Sequence, residues 1–360
     1  MRVGANGDIA MGTPVLSALR SAYPDAHITW VVEPGGSQMI DAHPDVDDIL
    51  IWHGSFWKLL TRNGIFPALI YYMFKVRRQL LARKYDIFIS FQPEEWPLFA
   101  KAVAAPESIG VFDTFWQYSG ATSTSKNVAL YRHAFTRADL PAHRADQYRL
   151  ALRALGLSSD CPSAMSLGYT SEDRDAVGRY LAKAGIAGAA RIALIAPKTG
   201  WPSKCWPLER YAELSDRLVA AGLNVVLIGG VKDSDALTRV AGAMSKPPLI
   251  AAGTLSLREM MALVHRAELV VSGDTGPMHI AAAFGTPFVA LFGPTSPDAY
   301  APRSTSGVVI AKTVPCGPCE RKVCPMTGEG FEKCMRLITV DEVHLACVKM
   351  ISAQRELKEP

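Results

Sequence analysis

Residues 272–296 carry the residue types that bind a phosphorylated ligand, in two turns separated by one helix and one strand. The first turn, residues 273–276, leads into Pro277, which suits the first position of a helix. A short apolar helix then stops at Gly285, and residues 287–292 read as a buried strand ending in a second turn at 293–295. A helix N-terminus presents unpaired N–H groups and a partial positive charge, so it suits an anion. Asp274 suits hydrogen bonds from sugar hydroxyls, or it fixes the turn.

A second candidate site lies at the start of the chain, where two glycines precede a carboxylate. Gly4 and Gly7 precede Asp8 and allow close approach of backbone and substrate. A carboxylate at such a loop can act as a base towards a hydroxyl group. Asp8 can equally be the N-cap of a helix predicted for residues 9–22. Spacing alone leaves both interpretations open.

Polar and glycine residues also follow two predicted strands in the second half. Thr199 and Lys204 follow the strand predicted for residues 191–196, while Gly229 and Gly230 follow the core of the next strand. Open α/β sheets bind ligands at the carboxyl ends of their strands. A lysine there can neutralise a diphosphate as a point charge. The alternative is an ordinary solvated lysine.

Four cysteines near the end of the chain form the pattern CxxC-x4-C-x9-C: Cys316, Cys319, Cys324 and Cys334. Their number matches the ligand set of a structural zinc site, although the spacing is not that of a common zinc finger. Reduced thiols that simply pack are the other interpretation.

The segment Ile65–Lys84 predicts a basic amphipathic helix. Its apolar stripe consists of Ile65, Leu69, Tyr72, Val76 and Leu80, and it is bordered by Lys75, Arg77, Arg78, Arg83 and Lys84. Such a helix can lie on an anionic membrane surface. It can equally face its own sheet and leave the basic residues in solvent.

These candidate residues share one edge of a sheet only if strands alternate with helices along the chain. The hydrophobic pattern predicts such an alternation. Short aliphatic runs typical of buried parallel strands occupy residues 28–32, 49–52, 86–91, 191–196, 223–229 and 268–272. A helix is predicted for residues 207–221. The alternation predicts two doubly wound α/β domains, with a boundary among residues 157–188. Only Met1, Arg2 and Val3 precede the first glycine loop, so the first strand is a stub or translation starts further upstream.

Bulk composition narrows the class of protein. A length of 360 residues favours two domains over one, and 49% hydrophobic residues allow large cores. The net charge of +4 is too small to indicate a nucleic-acid partner. The chain shows neither a signal peptide nor an apolar run near the ~20 residues that a membrane-spanning helix needs. We therefore expect a cytoplasmic enzyme.

Several separated segments together resemble one known family, the inverting ADP-heptose:lipopolysaccharide heptosyltransferases. The matching segments are residues 4–8, 13–20, 30–33, 43–47, 201–207 and 272–296. The resemblance implies a GT-B fold, in which two doubly wound Rossmann-like domains face a central cleft. Residues 1–165 would form the acceptor-binding domain. Residues 166–360 would form the nucleotide-sugar-binding domain, with the cysteine cluster and a C-terminal helix.

The resemblance also assigns roles to residues at the matching positions. Asp8 corresponds to the proposed catalytic base. The donor-binding set comprises Thr199, Lys204, Gly229, Gly230, Asp274, Thr275, Gly276 and His279. No cofactor and no catalytic metal are expected, so a zinc ion on the cysteines would be structural.

The implied reaction moves a heptose from an ADP-sugar to the inner core of lipopolysaccharide, onto a Kdo or heptose acceptor on lipid A. The acceptor would lie at the cytoplasmic face of the inner membrane, with peripheral contact through Ile65–Lys84. Two alternatives remain: a transferase of the same fold that uses another nucleotide-sugar, and a catalytically idle nucleotide-sugar-binding protein.

Overall fold

The protein is described here by a computed structural model. The structure describes the chain except residues 3, 55, 57–58, 60–62, 65, 94–96, 113–126, 137, 159–163 and 357–360. It divides into two compact units, unit 1 (Met1–Ser163) and unit 2 (Ala164–Pro360). The division lies beside the boundary that the sequence analysis places at residue 165.

Unit 1 contains two parallel sheets. Strand β1 (Thr29–Val32) pairs with β2 (Asp48–Ile51). Strands β3 (Ile87–Ser90), β4 (Glu107–Val111) and β5 (His133–Phe135) form the other sheet, in that order. Within the described part of the chain, β1 and β3 do not pair with each other.

Helices connect and cover these strands. They are α1 (Asn6–Ala22), α2 (Pro34–Ser37), α3 (Phe66–Leu81), α4 (Pro97–Val103) and α5 (Arg144–Ala154). Helix α1 packs against α5. The core of unit 1 gathers side chains from its strands and from α3, among them Trp52, Val76, Leu80, Phe88 and Phe99.

Unit 2 contains one parallel sheet of six strands in the order β11-β10-β9-β6-β7-β8. The strands are β6 (Ile192–Ala196), β7 (Asn224–Leu227), β8 (Leu249–Ile250), β9 (Leu269–Gly273), β10 (Phe288–Phe292) and β11 (Gly307–Ala311). Every residue of β6, β9 and β10 is buried. This explains their continuous hydrophobic runs, because helices cover both faces of a doubly wound sheet.

The helices of unit 2 follow its strands in regular alternation. They are α6 (Ser171–Lys183), α7 (Leu208–Ala220), α8 (Ser234–Ala243), α9 (Leu257–Arg266), α10 (Gly276–Phe284), α11 (Pro297–Tyr300), α12 (Lys333–Arg336) and α13 (Val340–Glu356). The C-terminal helix α13 packs on α7 and on the sheet, and contributes Val343, Cys347 and Ile351 to the core.

The predicted fold class is confirmed: both units are α/β with parallel strands. Each predicted strand is present to within a residue or two at its ends, and the predicted helix 207–221 is α7. One prediction about a helix end is wrong. Helix α1 already begins at Asn6 with Ala5 as its N-cap, so Asp8 lies in the first turn and is not the cap. None of the helices in the described ranges is both long and apolar enough to cross a bilayer.

Candidate functional site

The strand order of unit 2 defines where a ligand crevice must lie. Strands β6 and β9 are neighbours in the sheet, although two other strands separate them in sequence. From this point the chain winds outward in both directions, and open α/β sheets bind ligands at such a switch point, beyond the carboxyl ends of the strands. Ala196 of β6 lies opposite Ser272 of β9. The loops that follow these two residues therefore lie side by side.

An ion pair joins the two loops. The Lys204 Nζ lies 2.5 Å from the Asp274 Oδ2. The hydroxyl of Thr295, from the loop after β10, donates a hydrogen bond to the same carboxylate oxygen at 2.7 Å. The Asp274 side chain is only 8% exposed. Asp274 thus ties together the loops of three adjacent strands, which supports the turn-fixing role considered from its sequence.

The loop after β6 is also held by contacts of its own. The Thr199 hydroxyl donates a hydrogen bond to the Trp201 carbonyl at 2.7 Å. A single 3₁₀ turn, Pro202–Lys204, then carries Lys204 towards Asp274. The Lys204 ammonium lies 4.2 Å from the centre of the Trp201 ring, which is within the range of a cation–π attraction. These contacts fix the position of the lysine charge.

The start of helix α10 lies at the same edge of the sheet. The helix begins at Gly276 with Pro277 in its first turn, and its N-cap Thr275 makes no side-chain cap bond. It ends at Gly285, which adopts a left-handed conformation with φ of 67°. Gly273 is needed just before the turn: a Cβ there would lie 2.8 Å from the Thr199 Cγ2 and 3.2 Å from the Lys204 carbonyl oxygen. The structure therefore places the start of α10 close to Thr199 and Lys204, as predicted.

Two predicted donor-binding glycines lie at the end of the neighbouring strand β7. The Gly230 amide donates a hydrogen bond to the Asp233 carboxylate at 2.9 Å. A Cβ on Gly229 would lie 3.1 Å from the Asp233 Cβ, so a larger residue there would press on Asp233. This turn follows β7 at the same edge of the sheet as the loops after β6 and β9, because the strands are parallel. His279, the last predicted member, lies in the first turn of α10 and is almost wholly buried.

Asp8 occupies a different kind of site, in unit 1. Its Oδ2 forms an ion pair with the Arg2 guanidinium, and its Oδ1 accepts a hydrogen bond from the Tyr148 hydroxyl at 3.2 Å. The Arg144 Nε lies 3.9 Å from the Oδ1 atom. Arg2, Arg144 and Tyr148 are buried, whereas the Asp8 side chain is 22% exposed. The carboxylate is thus held on its protein side and reaches solvent on the other.

Comparison with known proteins agrees with this arrangement. The model of the glycosyltransferase family 9 (heptosyltransferase) matches residues 73–329, which is most of the chain.

The chain belongs to glycosyltransferase family 9.

The relatives of this glycosyltransferase extend the match to nearly its whole length. Lipopolysaccharide heptosyltransferase 1 of Pseudomonas aeruginosa is 27% identical over 374 aligned positions, covering 99% of this chain and 94% of the relative. A glycosyl transferase family 9 structure from Veillonella parvula is 25% identical with a TM-score of 0.77, covering 98% and 95% of the two chains. The E. coli heptosyltransferase WaaC, solved with ADP, is 21% identical with a TM-score of 0.70 over 97% and 100% of the chains. The fold is therefore GT-B.

The four clustered cysteines of this glycosyltransferase follow strand β11. Cys316 is exposed, and Cys319, Cys324 and Cys334 are partly buried. Burial, together with a smaller effect of the three neighbouring cysteines of the cluster, raises the pKa of the Cys334 thiol to about 11. The Cys324 sulfur accepts a hydrogen bond from the Glu332 amide at 3.3 Å. Within the described residues, no three His, Cys, Asp or Glu side chains are arranged to hold a metal ion, so the zinc site stays a prediction.

Helix α3 shows two apolar faces rather than one. Val76 and Leu80 of the predicted stripe are buried in the core of unit 1. Ile65 and the side chains of Leu69 and Tyr72 lie outside the described part. A second apolar group, which sequence analysis missed, is in solvent: Ile70, Tyr71 and Phe74 are 69%, 71% and 63% exposed.

Other contact residues were also missed from sequence. Thr295 binds Asp274, and Arg2, Arg144 and Tyr148 surround Asp8. Thr295 lies in the second turn of the 272–296 segment. The presence of two turns in one segment could therefore have predicted its contact with Asp274 in the first turn. Tyr148 lies 140 residues from Asp8 in the chain, and nothing in the local sequence of α5 indicates that contact.

Proposed function

We propose that this chain transfers a heptose from ADP-heptose to the inner core of lipopolysaccharide, with inversion at the anomeric carbon. The observation that carries the proposal is the cluster of Lys204, Asp274 and Thr295 beside the start of α10, at the switch point of the unit 2 sheet. Its relatives support the choice of substrates. The Pseudomonas relative is named a lipopolysaccharide heptosyltransferase, and the E. coli structure of the same fold was solved with ADP.

The diphosphate of the donor is assigned to the space between Lys204, Thr199 and the first turn of α10. The helix start offers N–H groups and a partial positive charge. Lys204 adds a full charge that Asp274 and Trp201 already hold in place. Preorganised positive charge at a leaving diphosphate stabilises the transition state without reorganisation. The same protein groups would do the work of a divalent metal, so none is required.

Asp8 is assigned as the base that removes the proton from the acceptor hydroxyl. Its ion pair with Arg2 and its bond from Tyr148 fix the direction of the carboxylate. Those partners also stabilise its ionised form, since nearby positive charge favours a carboxylate anion. A base must be ionised before it can accept a proton, and it must lie within reach of that proton. Acceptor binding is accordingly assigned to unit 1, and nucleotide binding to unit 2.

The direct test is product analysis with purified protein. The enzyme is incubated with ADP-heptose and a Kdo-bearing lipid A acceptor, with UDP-glucose as the competing donor, and products are identified by mass spectrometry and anomeric configuration. We expect a single inverted heptosyl product, unaffected by chelator. Transfer from UDP-glucose alone would indicate another nucleotide-sugar. Binding of ADP-heptose without turnover on any core acceptor would support an idle binding protein.

We also propose that α3 brings the enzyme to an anionic membrane surface at the cytoplasmic face of the inner membrane. The exposed side chains Ile70, Tyr71 and Phe74 share the helix with Lys75, Arg77 and Arg78, which are exposed as well. Apolar side chains that insert at the headgroup level, next to basic residues that attract anionic lipid, are the two elements of peripheral binding.

Vesicle sedimentation tests this contact. The protein should pellet with vesicles containing phosphatidylglycerol and should remain in the supernatant with pure phosphatidylcholine. The double variant Ile70→Ser/Phe74→Ser should lose most of the binding. Leu345→Ser is the matched control, since Leu345 is an exposed leucine on α13. Equal loss in both variants would mean that α3 has no special role.

The zinc site is proposed as a structural element only. Four thiolates would leave no open coordination position for a substrate. Metal analysis of protein purified without chelator should then find about one zinc per chain, because four thiolates make a single closed site. The variant Cys316→Ser/Cys319→Ser should lose both the metal and thermal stability, while its folded fraction still binds ADP. Fully stable, metal-free protein would instead identify the cysteines as packing thiols.

A further inference from the structure

Part of the segment that carries the cysteine cluster contacts the loop that presents Lys204. Residues 320–322 lie within this cluster, between its second and third cysteines. The Ser203 hydroxyl donates a hydrogen bond to the Arg321 carbonyl at 2.6 Å, and the Ser203 amide donates one to the Lys322 carbonyl at 3.3 Å. Ser203 directly precedes Lys204 in the 3₁₀ turn after β6. The turn that presents the lysine charge is therefore attached to residues 320–322, which we call the bridging segment.

The bridging segment also contacts the loop after β10. The Glu320 amide donates a hydrogen bond to the Pro294 carbonyl at 2.9 Å, and the Glu320 Oε1 accepts one from the Ser296 amide at 3.2 Å. Pro294 and Ser296 flank Thr295, whose hydroxyl binds Asp274. Glu320 thus holds the turn of Thr295 on both sides, once through its backbone and once through its side chain.

Glu320 makes both contacts from a left-handed backbone conformation. Its φ is 53°, in a region that glycine occupies readily and that is uncommon for other residues. A residue stays in such a conformation only when the surrounding structure determines it strongly, and residues of this kind cluster at functional sites. The backbone of Glu320 is therefore a second indication that the bridging segment has a specific role here.

The contacts of the bridging segment lie beside buried side chains. Ser203 and Thr295 are each 2% exposed. A buried polar group that loses its hydrogen-bond partner costs its full desolvation free energy. The end of the cysteine-bearing segment packs against the same turn, because a Cβ on Gly293 would lie 2.8 Å from the Met335 Cγ and 3.2 Å from the Cys334 Sγ. The loop after β10 is therefore held by this part of the chain at two places.

Two connections consequently join the loops after β6 and β10. The first runs through side chains, from Lys204 to Asp274 and on to Thr295. The second runs from Ser203 through the bridging segment to the residues on either side of Thr295. Because Ser203 adjoins Lys204 in the chain, both connections act on the same two groups. The positions of Lys204 and Thr295 should therefore depend on the bridging segment.

We propose that the bridging segment positions Lys204 and Thr295 for the diphosphate of the nucleotide-sugar donor, with Ser203 and Glu320 as its positioning residues. This inference rests on the donor site proposed above. A charge that is held in place before the donor binds needs no reorganisation during the reaction. The bridging segment acts through Lys204 and Thr295, so its disruption should weaken donor binding without abolishing it.

The first test is the variant Ser203→Ala, which removes the hydroxyl that binds the Arg321 carbonyl. ADP affinity, measured by calorimetry, should fall by roughly 2–10-fold, the effect of one hydrogen bond between neutral groups. Amide hydrogen exchange at Ser296, on the other loop, should become faster in the ligand-free protein, because local opening exposes that amide more often. Ser215→Ala is the matched control: Ser215 is also buried, and its hydroxyl donates to the Tyr211 carbonyl at 2.7 Å within α7. The control should lower the thermal midpoint and change neither ADP affinity nor exchange at Ser296.

The second test separates the Glu320 side chain from a general disturbance of the loop. Glu320→Ala removes the acceptor of the Ser296 amide, so it should weaken ADP binding by a similar factor and speed exchange at the Ser203 amide. Glu320→Gln keeps a side-chain oxygen at the same position and should restore both the affinity and the exchange rate. A residue with a merely structural role would lower the thermal midpoint without changing the ADP affinity of the folded protein.

Unchanged ADP affinity in both alanine variants would overturn the proposal. Exchange that becomes faster only at the contact removed, and not on the opposite loop, would overturn it as well. Equal loss of affinity in Glu320→Ala and Glu320→Gln would exclude the side-chain oxygen from the positioning role. If the unsubstituted protein binds no ADP, the proposed function is wrong, and exchange at Ser203 and Ser296 then decides by itself whether the bridging segment joins the two loops.

Discussion

The two units position their candidate functional residues in different ways: unit 2 by backbone pairing of its strands, and unit 1 by side-chain contacts. In unit 2 the loops after β6 and β9 are neighbours because those strands are paired through four residues of each. In unit 1 the first turn of α1, which carries Asp8, follows a single rung of backbone hydrogen bonds between Met1 and the end of β3. Its geometry rests instead on side chains, with Arg2 and Tyr148 binding the carboxylate. A continuous sheet positions loops through the backbone, whereas an interrupted one relies on side-chain contacts.

The acidic residues of the two sites differ in the same way. Asp274 is almost buried and binds groups from two other loops, which suits a residue that fixes a shape. Asp8 is more exposed, although its partners are buried. A carboxylate that must meet a substrate has to keep one face open. This difference supports the proposed division, in which the chemistry belongs to unit 1 and substrate positioning belongs to unit 2.

The largest effect is expected from Asp8→Asn. The amide cannot accept a proton, so transfer should fall by about 10²–10⁴-fold, the usual contribution of a general base. ADP affinity, measured by calorimetry, should stay unchanged because the groups proposed to bind the donor lie in unit 2. Asp25→Asn, at an exposed aspartate of unit 1, should leave turnover intact. Near-normal turnover of Asp8→Asn would show that Asp8 is not the catalytic base.

The buried amino group of Met1 should make stability depend on pH. Its pKa is lowered to about 5 in the folded protein from an ordinary value of 8.0. Between those values the unfolded chain binds more protons, so stability should rise with pH from about 5 to 8 and be lowest below 5. The upper bound is roughly 4 kcal/mol, at about 1.4 kcal/mol per unit of pKa.

Urea denaturation at several pH values measures this effect. Protein acetylated at Met1 is the control, because His43 in the same unit also has a pKa lowered by burial and contributes with the same sign. The difference between the two proteins should grow as the pH falls from 8 to 5. If the free energies of unfolding of the unmodified and acetylated proteins change equally with pH, the Met1 amine is solvated. The hydrogen bond between Met1 and Ile89 would then not hold the start of unit 1.

The sequence predicted the parts of both units that depend on local pattern. Continuous aliphatic runs predicted β6, β9 and β10 correctly. Strands that are buried on both faces consist almost entirely of apolar residues, so their sequences do not alternate with polar ones. Gly285 marked the end of α10, because a left-handed residue was needed there. Contacts made by distant segments were out of reach. Tyr148 and Arg144 approach Asp8 only because α5 packs on α1, and such packing leaves no local pattern.

A third prediction concerns the charge of Lys204. Lys204→Ala should weaken ADP binding by about 1.5–3 kcal/mol, the scale of a hydrogen bond to a charged group, or roughly 10–150-fold in Kd. It should also leave Asp274 without its cation, so some loss of thermal stability is expected. Lys183→Ala, at an exposed lysine ending α6, controls for net charge. Unchanged calorimetric affinity for ADP would exclude Lys204 from the donor site.

The smallest effect is expected from Thr295→Val, which removes one of the two bonds to Asp274 while keeping the shape of the side chain. A hydrogen bond to a charged group contributes about 1.5–3 kcal/mol. Only the part that acts through the position of Asp274 reaches the ligand, so ADP binding should weaken by roughly 2–10-fold if the three loops must be tied to form the site. Thr286→Val is the matched control: Thr286 is also buried, and its hydroxyl donates to the Val264 carbonyl at 3.0 Å, away from the Asp274 cluster. That control should lower the thermal midpoint and leave ADP affinity unchanged. If Thr295→Val behaves like the control, Lys204 and Asp274 hold the site without the third loop, and the backbone of the continuous sheet is sufficient to position it.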